Sequence, residues 1–404
     1  MRIAVVVDTF PTVSETFVVN QIIGFIESGH DVQIFAFYKG PEQKIHDSIN
    51  QFGLLDRVTY PRNFTKQKYK SALKFFYFLL INCFSLNYLL LLELLFKLAF
   101  NSSRLERIEF LQWFIFNKPF DLVHAHFGPI GQRMSSLKRY KSLKKTRLFN
   151  SFHGYDLSPC QLDYNKIRYG ELFKYADGFI VNTPYLKSIL KEVKGNLNNV
   201  HEIPVGLDTN FFRPAKLERR PDSILFCGRL IKLKAPDLAI KIAYELTKKG
   251  IEIHLSIAGT GEMENELRNL VRLLNITKNV SFLGEVSQEE VKVLMNTHQV
   301  FLLPGRHDPI TGRAETQGLV IQEAQAMQLP VLVSDAGGMK YGLIDGETGF
   351  VIRENDISSF VEKILFLFNS PNHLKIMGVA GRSFVKKYYS FDLITKKHLE
   401  VFKN

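Results

Sequence analysis

The sequence predicts an α/β protein built as two successive domains, and three observations carry this. The chain has 404 residues, more than a single hydrophobic core ordinarily serves. It opens on a strand–helix–strand unit. After a segment rich in proline and charge, a second alternating series of strands and helices begins at Ser223.

In order along the chain, Ile3–Val7 reads as a buried parallel strand, because all five residues are apolar. Pro11 sits in the loop that follows. Glu15–Ser28 reads as a helix stopped by Gly29, and Val32–Phe37 as the next strand. No G-x-G-x-x-G follows the first strand, so a dinucleotide fingerprint is absent. Asp121–Gly128 and Leu148–Asp156 each read as a strand running into a polar turn. They place His126 and His153 at carboxyl ends, where open α/β sheets bind ligands. A lone histidine in such a place is more often structural. Thr183 is positioned to cap a helix that Pro184 opens.

The segment from His201 to Asp222 is taken as the domain boundary. It gives domains of residues 1–205 and 206–384, with 385–404 expected to pack back on the first. In the second series Ser223–Gly228 is a strand. Gly228, Arg229 and Lys234 then lie on the loop before a helix that opens at Ala235-Pro236-Asp237. Gly312–Gly338 holds two carboxylates, Glu315 on a loop and Glu323 inside a helix that starts near Gly318. A helix start offers free N–H groups to a phosphate, here those of Leu319 and Val320. A carboxylate accepts the two hydroxyls of a diol, and Arg offers a planar fork to phosphate oxygens. Together these suggest a nucleotide-sugar site. The spacing of the two glutamates alone favours a plain surface helix.

Composition bounds the partners. The net charge of +12 asks for an anionic partner. Two basic stretches carry no acid: Arg62, Lys66, Lys68, Lys70 and Lys74, and then seven residues between Arg133 and Arg147. The second stretch has little aromatic interleaving, which speaks against nucleic acid there. The uncharged run 75–92 just reaches spanning length, yet a single span would part the first strand from the rest of its sheet. A buried helix pair is the plainer reading, and a surface contact with an anionic membrane is the other. Cys83, Cys160 and Cys227 lie far apart and read as reduced thiols. The opening MRIAVVVDTF meets an acid too soon for a signal peptide. The expected location is the cytoplasm, with peripheral contact at the inner face of the plasma membrane.

Gly228-Arg229-Leu230 with Lys234, Ala258-Gly259-Thr260-Gly261, Phe282-Leu283-Gly284 and Glu315 through Gly338 resemble the C-terminal domain of glycosyltransferase family 4. His126 in HAHFG, His153-Gly154-Tyr155-Asp156 and Ile203–Asp208 resemble its N-terminal domain and hinge. The start, Phe10–Phe17, and the loop His307–Arg313 resemble the bacterial exopolysaccharide enzymes of the colanic-acid type. The resemblance implies a GT-B fold, two Rossmann-like domains facing a cleft, and a retaining hexosyl transfer from a nucleotide diphosphate sugar. UDP is the favoured nucleotide and GDP the next. The acceptor is a growing, lipid-linked saccharide.

The resemblance also assigns roles. Arg229 and Lys234 hold the diphosphate, Glu323 the ribose and Glu315 the transferred sugar. Gly318, Leu319 and Val320 give backbone N–H groups, and His153 approaches the sugar. Ser14, Glu15 and His126 are acceptor-side candidates. The resemblance implies no metal and no cofactor, and the chain has no Asp-x-Asp motif. It departs from the family in two places. Pro11-Thr12-Val13-Ser14 replaces a common Gly-Gly loop, and Ala235 replaces a common Gly and is expected to be tolerated. A sugar-nucleotide epimerase, a phosphorylase or a non-catalytic membrane-surface module are the alternatives. The intact Arg229, Lys234, Glu315 and Glu323 argue against the last.

Overall fold

The computed structural model describes residues 1–12, 15–41, 47–61, 87–93, 108–215 and 217–403. The basic run Arg62–Lys74, most of the apolar run 75–92, Cys83 and Ser14 lie outside the described residues.

Two parallel sheets organise the chain. The first has seven strands: β1 (Arg2–Phe10), β2 (Asp31–Lys39), β3 (Val58–Thr59), β4 (Leu122–His126), β5 (Arg147–Phe152), β6 (Gly178–Val181) and β7 (Val200–Glu202). Their order is β3-β2-β1-β4-β5-β6-β7, with every pairing parallel. The second has six: β8 (Ser223–Cys227), β9 (His254–Ala258), β10 (Val280–Gly284), β11 (Val300–Leu303), β12 (Val331–Ser334) and β13 (Gly349–Ile352). Their order is β10-β9-β8-β11-β12-β13, again parallel. These are two Rossmann-like domains, and the α/β reading of the sequence holds in both.

Sheet order decides where ligands go. Each sheet reverses direction once, between β1 and β4 and between β8 and β11. At such a point the flanking loops part and leave a crevice at the carboxyl edge. The loops at those edges carry Glu15, His126, Arg229 and Glu315.

The strands are buried on both faces because helices cover both. One face of the first sheet packs Phe35, Trp113, Phe152 and Phe179, with Phe35 and Trp113 stacked at 4.9 Å. The other packs Val5, Ile22, Phe25 and Phe149 together with Ile394 and Phe402 of the C-terminal helix Phe391–Lys403. That helix follows the second domain in sequence and lies against the first helix, Thr16–Glu27, with Phe402 5.7 Å from Phe25 and 5.1 Å from His124. A separate core fills the second domain, around Phe226, Phe301, Met327 and Phe360. The chain crosses between domains twice at one place, where Leu207 pairs with Ser390.

Local expectations hold with small shifts. The first helix starts at Thr16, leaving Glu15 as its N-cap. The Thr183 hydroxyl accepts the N–H of Leu186, and Pro184 opens that helix. Residues 357–388 form two helices, Ile357–Phe368 and Pro371–Tyr388, because Pro371 lacks the N–H that would continue the first. The basic residues 133–147 are less free than the sequence suggests. Lys138 is ion-paired with Asp177 at 2.7 Å and Arg139 with Glu171, while Arg133 lies over the Phe37 ring. Lys141, Lys144 and Lys145 remain exposed. Among the described residues no helix is long and apolar enough to cross a membrane.

Candidate active site

The site is assembled from strand ends. β8 stops at Cys227, and Gly228 turns the chain at φ 153° so that Arg229 and Lys234 follow at the sheet edge. β11 stops at Leu303, and the loop after it delivers Glu315 before the helix Leu319–Ala326 begins. Gly318 caps that helix with φ 72°, a left-handed conformation that glycine takes without strain. The Ile321 N–H bonds back to Gly318, leaving the N–H groups of Leu319 and Val320 at the positive end of the helix.

Lys234 Nζ and a Glu315 carboxylate oxygen form an ion pair, with both side chains largely buried at 11% and 16% exposure. Burial works to raise the Glu315 carboxyl. The charges of Lys234 and Arg229 outweigh it and hold the group below its usual range. Glu323, one helix turn further in, has only Lys234 to offset burial, which pushes its carboxyl up to about 7. Two carboxylates that both feel the charge of Lys234 are thus tuned apart, one ionised at neutral pH and one poised to gain or lose a proton. Cys227 beside Glu323 is pushed up to about 12 by burial first and by that carboxylate next, so it is an inert thiol.

The first domain supplies the opposite wall. A half-open cleft is lined by His153, Gly154 and Tyr155 on one side and by Arg229, Arg313 and Glu315 on the other. His153 follows β5, and its turn is braced by the buried Asp156. The Asp156 carboxylate accepts N–H groups from Gly128 at 2.8 Å, His153 at 3.1 Å and Gly154 at 2.9 Å. The His153 ring sits between Phe17 and Phe127, each 4.7 Å away. Phe127 holds φ 70°, strained for a bulky residue and next to the site. Burial lowers the His153 imidazole to about 3, so the ring is neutral. His126 lies beside it with Nδ1 3.1 Å from His153 Nε2. It is a buried residue behind His153 and does not line the cleft itself.

Glu15 does not line the cleft; it lies near Asp8 and Tyr155. Burial, then the charge of Asp8, raises its carboxyl to about 7, against a hydrogen bond from Thr12.

Sequence reasoning missed what joins the two walls. The Thr316 hydroxyl donates to the His153 carbonyl at 3.1 Å, and the Thr183 hydroxyl donates to the Thr316 carbonyl at 2.9 Å. Gln317 clamps the backbone of Val205 with two bonds, of 2.8 and 2.9 Å. Gly154 faces Thr316 so closely, at φ 119°, that a Cβ there would lie 2.4 Å from the threonine methyl. These residues lie inside motifs that the sequence singled out, between Glu315 and Gly318 and after His153. Their contacts join residues more than 100 positions apart, and no spacing announces them. Arg313 and Tyr185 in the cleft wall were missed for the same reason. Among the described residues no group of three or more His, Cys, Asp or Glu could hold a metal ion.

Two facing parallel-sheet domains, with paired cations and tuned carboxylates across a cleft, define a glycosyltransferase of the GT-B class. Two family models divide the chain between them. Glycosyltransferase Family 4 matches residues 14–211, and Glycosyl transferases group 1 matches residues 208–384. A provisionally named colanic acid biosynthesis glycosyltransferase, WcaL of Salmonella typhimurium, is 26% identical, with 97% of this chain and 96% of that protein covered. A GDP-mannose-dependent alpha-(1-6)-phosphatidylinositol monomannoside mannosyltransferase of Mycolicibacterium smegmatis is 25% identical over 64% of this chain and 68% of its own. HepE of Anabaena, solved with UDP-glucose, superposes with TM-score 0.73 at 13% identity, covering 100% of this chain and 99% of that one. The chain belongs to the family 4 glycosyltransferases with a group 1 C-terminal domain, and it is an enzyme of that kind.

Proposed function

We propose that the protein transfers a hexose, with retention of configuration, from a UDP-sugar to a growing, lipid-linked saccharide of an exopolysaccharide. The observation that carries this is the Lys234–Glu315 ion pair set between Arg229 and the Gly318 helix start, facing His153 across the cleft. In the reaction the bond from the anomeric carbon to the diphosphate oxygen breaks, and a bond to an acceptor hydroxyl forms on the same face. The hydroxyl proton leaves with the departing phosphate. Negative charge grows on that phosphate, and Arg229, Lys234 and the free N–H groups of Leu319 and Val320 stand ready to stabilise it. Glu323 takes the ribose hydroxyls, Glu315 and His153 the sugar, and Glu15 with Ser14 the acceptor side.

The relation to WcaL supports the polysaccharide setting. HepE with UDP-glucose supports the nucleotide. The mycobacterial relative supports a lipid-linked acceptor, and it favours GDP-mannose as the second reading of the donor. Peripheral contact with an anionic membrane would suit such an acceptor. Of the two basic stretches, Lys141, Lys144 and Lys145 are what the described residues offer it.

Thermal stabilisation across UDP- and GDP-sugars tests the donor. At 100 times its dissociation constant the correct one adds about 2.7 kcal/mol of stability. A metal requirement is tested by chelation. The proposal expects turnover to survive EDTA, because the cations of the chain face the diphosphate. Loss in EDTA restored by manganese would refute that. Lys234→Ala is expected to lower kcat by roughly 10²–10³-fold with a smaller change in donor Kd, since leaving-group charge peaks in the transition state. An unchanged kcat with only a raised KM would make Lys234 a ground-state contact.

A further inference from the structure

Behind His153 lies a second pocket, whose lining does not include Arg229 or Glu315 of the cleft. Its walls include Phe17, Gln21, His126, Ser151 and His153, closed below by Ile394 and His398 of the C-terminal helix. Two buried polar atoms there have no hydrogen-bond partner among the described residues, His126 Nε2 and Gln21 Oε1. Buried polar groups are rarely left so. A pocket with two such groups on its wall is a place for a structural water.

The imidazoles form a line. His126 Nδ1 lies 3.1 Å from His153 Nε2, with the rings nearly coplanar at 9°. The two facing nitrogens share one proton, so one ring must donate and the other accept. The commoner tautomer of a neutral imidazole carries its proton on Nε2. In that form His126 carries its proton on Nε2, the atom without a protein partner, and a water bridging it to Gln21 Oε1 would satisfy both groups. His126 Nδ1 is then bare and accepts from His153 Nε2–H. The one remaining polar atom of His153 is Nδ1, which makes no protein hydrogen bond among the described residues, and His153 itself lines the cleft.

We propose that His126 is a positioning residue. With Gln21 and a buried water it fixes His153 in the tautomer whose bare Nδ1 accepts a hydroxyl of the transferred sugar. The site thus selects donors with a hydroxyl at that place and disfavours deoxy sugars, because the acceptor would otherwise stay unpaired. The sugar contact rests on the function proposed above, whereas the tautomer does not.

The tautomer is read directly by ¹H–¹⁵N correlation of the imidazole nitrogens in histidine-labelled protein, without any substrate. The expected spectrum shows His153 protonated on Nε2 and bare on Nδ1. In His126→Phe the His153 signal should divide between both tautomers. In His126→Asn, whose amide oxygen replaces the lost acceptor, it should return to one. Gln21→Leu should loosen the same preference without touching His153. A His153 proton on Nδ1 in the wild type overturns the proposal, as does an unchanged His153 signal in a folded His126→Phe protein. Should His126→Phe fail to fold, the Asn and Gln21 variants still decide. Turnover is the second arm. His126→Phe is expected to lower kcat/KM for the intact donor about tenfold while leaving the Kd of the free nucleoside diphosphate unchanged. The expected spectra with unaltered kcat/KM would keep the tautomer and remove the sugar contact.

Discussion

Glu323 shows how one side chain reports on binding. Its carboxyl stands at about 7 because burial disfavours the charge and only Lys234 offsets it. In the role proposed above, Glu323 accepts from ribose hydroxyls, which donate to an ionised carboxylate, so the ionised form would be the one that binds. Below pH 7 a proton must leave before the donor enters, and Kd should rise by up to about tenfold for each pH unit. Glu315, held low by Lys234 and Arg229, adds no titration in that range. Glu15 also stands at about 7, but the proposal gives it to the acceptor, so calorimetry with donor alone isolates Glu323. Glu323→Gln should flatten the profile and weaken binding throughout. A wild-type Kd constant between pH 6 and 8 would remove Glu323 from the ribose.

At the scale of elements, the loop between β8 and its helix carries a built-in cost. Ala235 holds φ 53° just before Pro236, a left-handed conformation that costs a residue with a Cβ about 1–2 kcal/mol. Glycine avoids that cost but loses about 0.5–1 kcal/mol of its greater chain freedom. Ala235→Gly should therefore stabilise the protein by about 0.5–1 kcal/mol, visible as a higher midpoint in urea. The expectation that alanine is tolerated therefore carries this strain. A lower midpoint in the glycine variant would show that the helix start gains more from the methyl group than the backbone loses.

What could be read from the sequence divides along the same line. Strands such as Ile3–Val7 and Val331–Val333 declare themselves, because a parallel strand buried on both faces must be apolar throughout. Glu315, Gly318 and Glu323 were legible because a loop, a helix cap and a helix turn are local arrangements. The clamp of Gln317 on Val205 was not, since docking of one domain on the other creates it. The same limit made residues 133–147 look like a free basic face. Asp177 and Glu171 lie far along the chain and reach Lys138 and Arg139 only after folding.

The whole molecule carries an acid sensitivity. Burial lowers His153 to about 3 and His398 and His298 to about 4, and it lowers His124 and His126 as well. In the unfolded chain each would take a proton near pH 6.5. The folded state resists, so the unfolded state binds more protons as pH falls. The stability these groups contribute is complete above about pH 6.5 and is lost progressively toward pH 4. Each neutral buried histidine removes up to about 1.4 kcal/mol per pH unit in that window. Melting temperature followed from pH 7.5 to 4.5 should fall steeply below pH 6. His398→Leu should blunt the fall. A flat profile would mean that the cluster is hydrated and titrates freely.

Thr316 gives the enzyme a sense of timing. Its hydroxyl and its carbonyl are both fastened to the first domain, at His153 and Thr183, while its neighbour Glu315 grips Lys234 in the second. Parting the domains breaks both fastenings and unseats the residue next to Glu315 in the same movement. Glu315 and His153 therefore share one wall-to-wall arrangement only while the cleft is shut. On the function proposed above, a donor held by an opened second domain would lack that arrangement, and its activated sugar would be spared hydrolysis until an acceptor is enclosed with it.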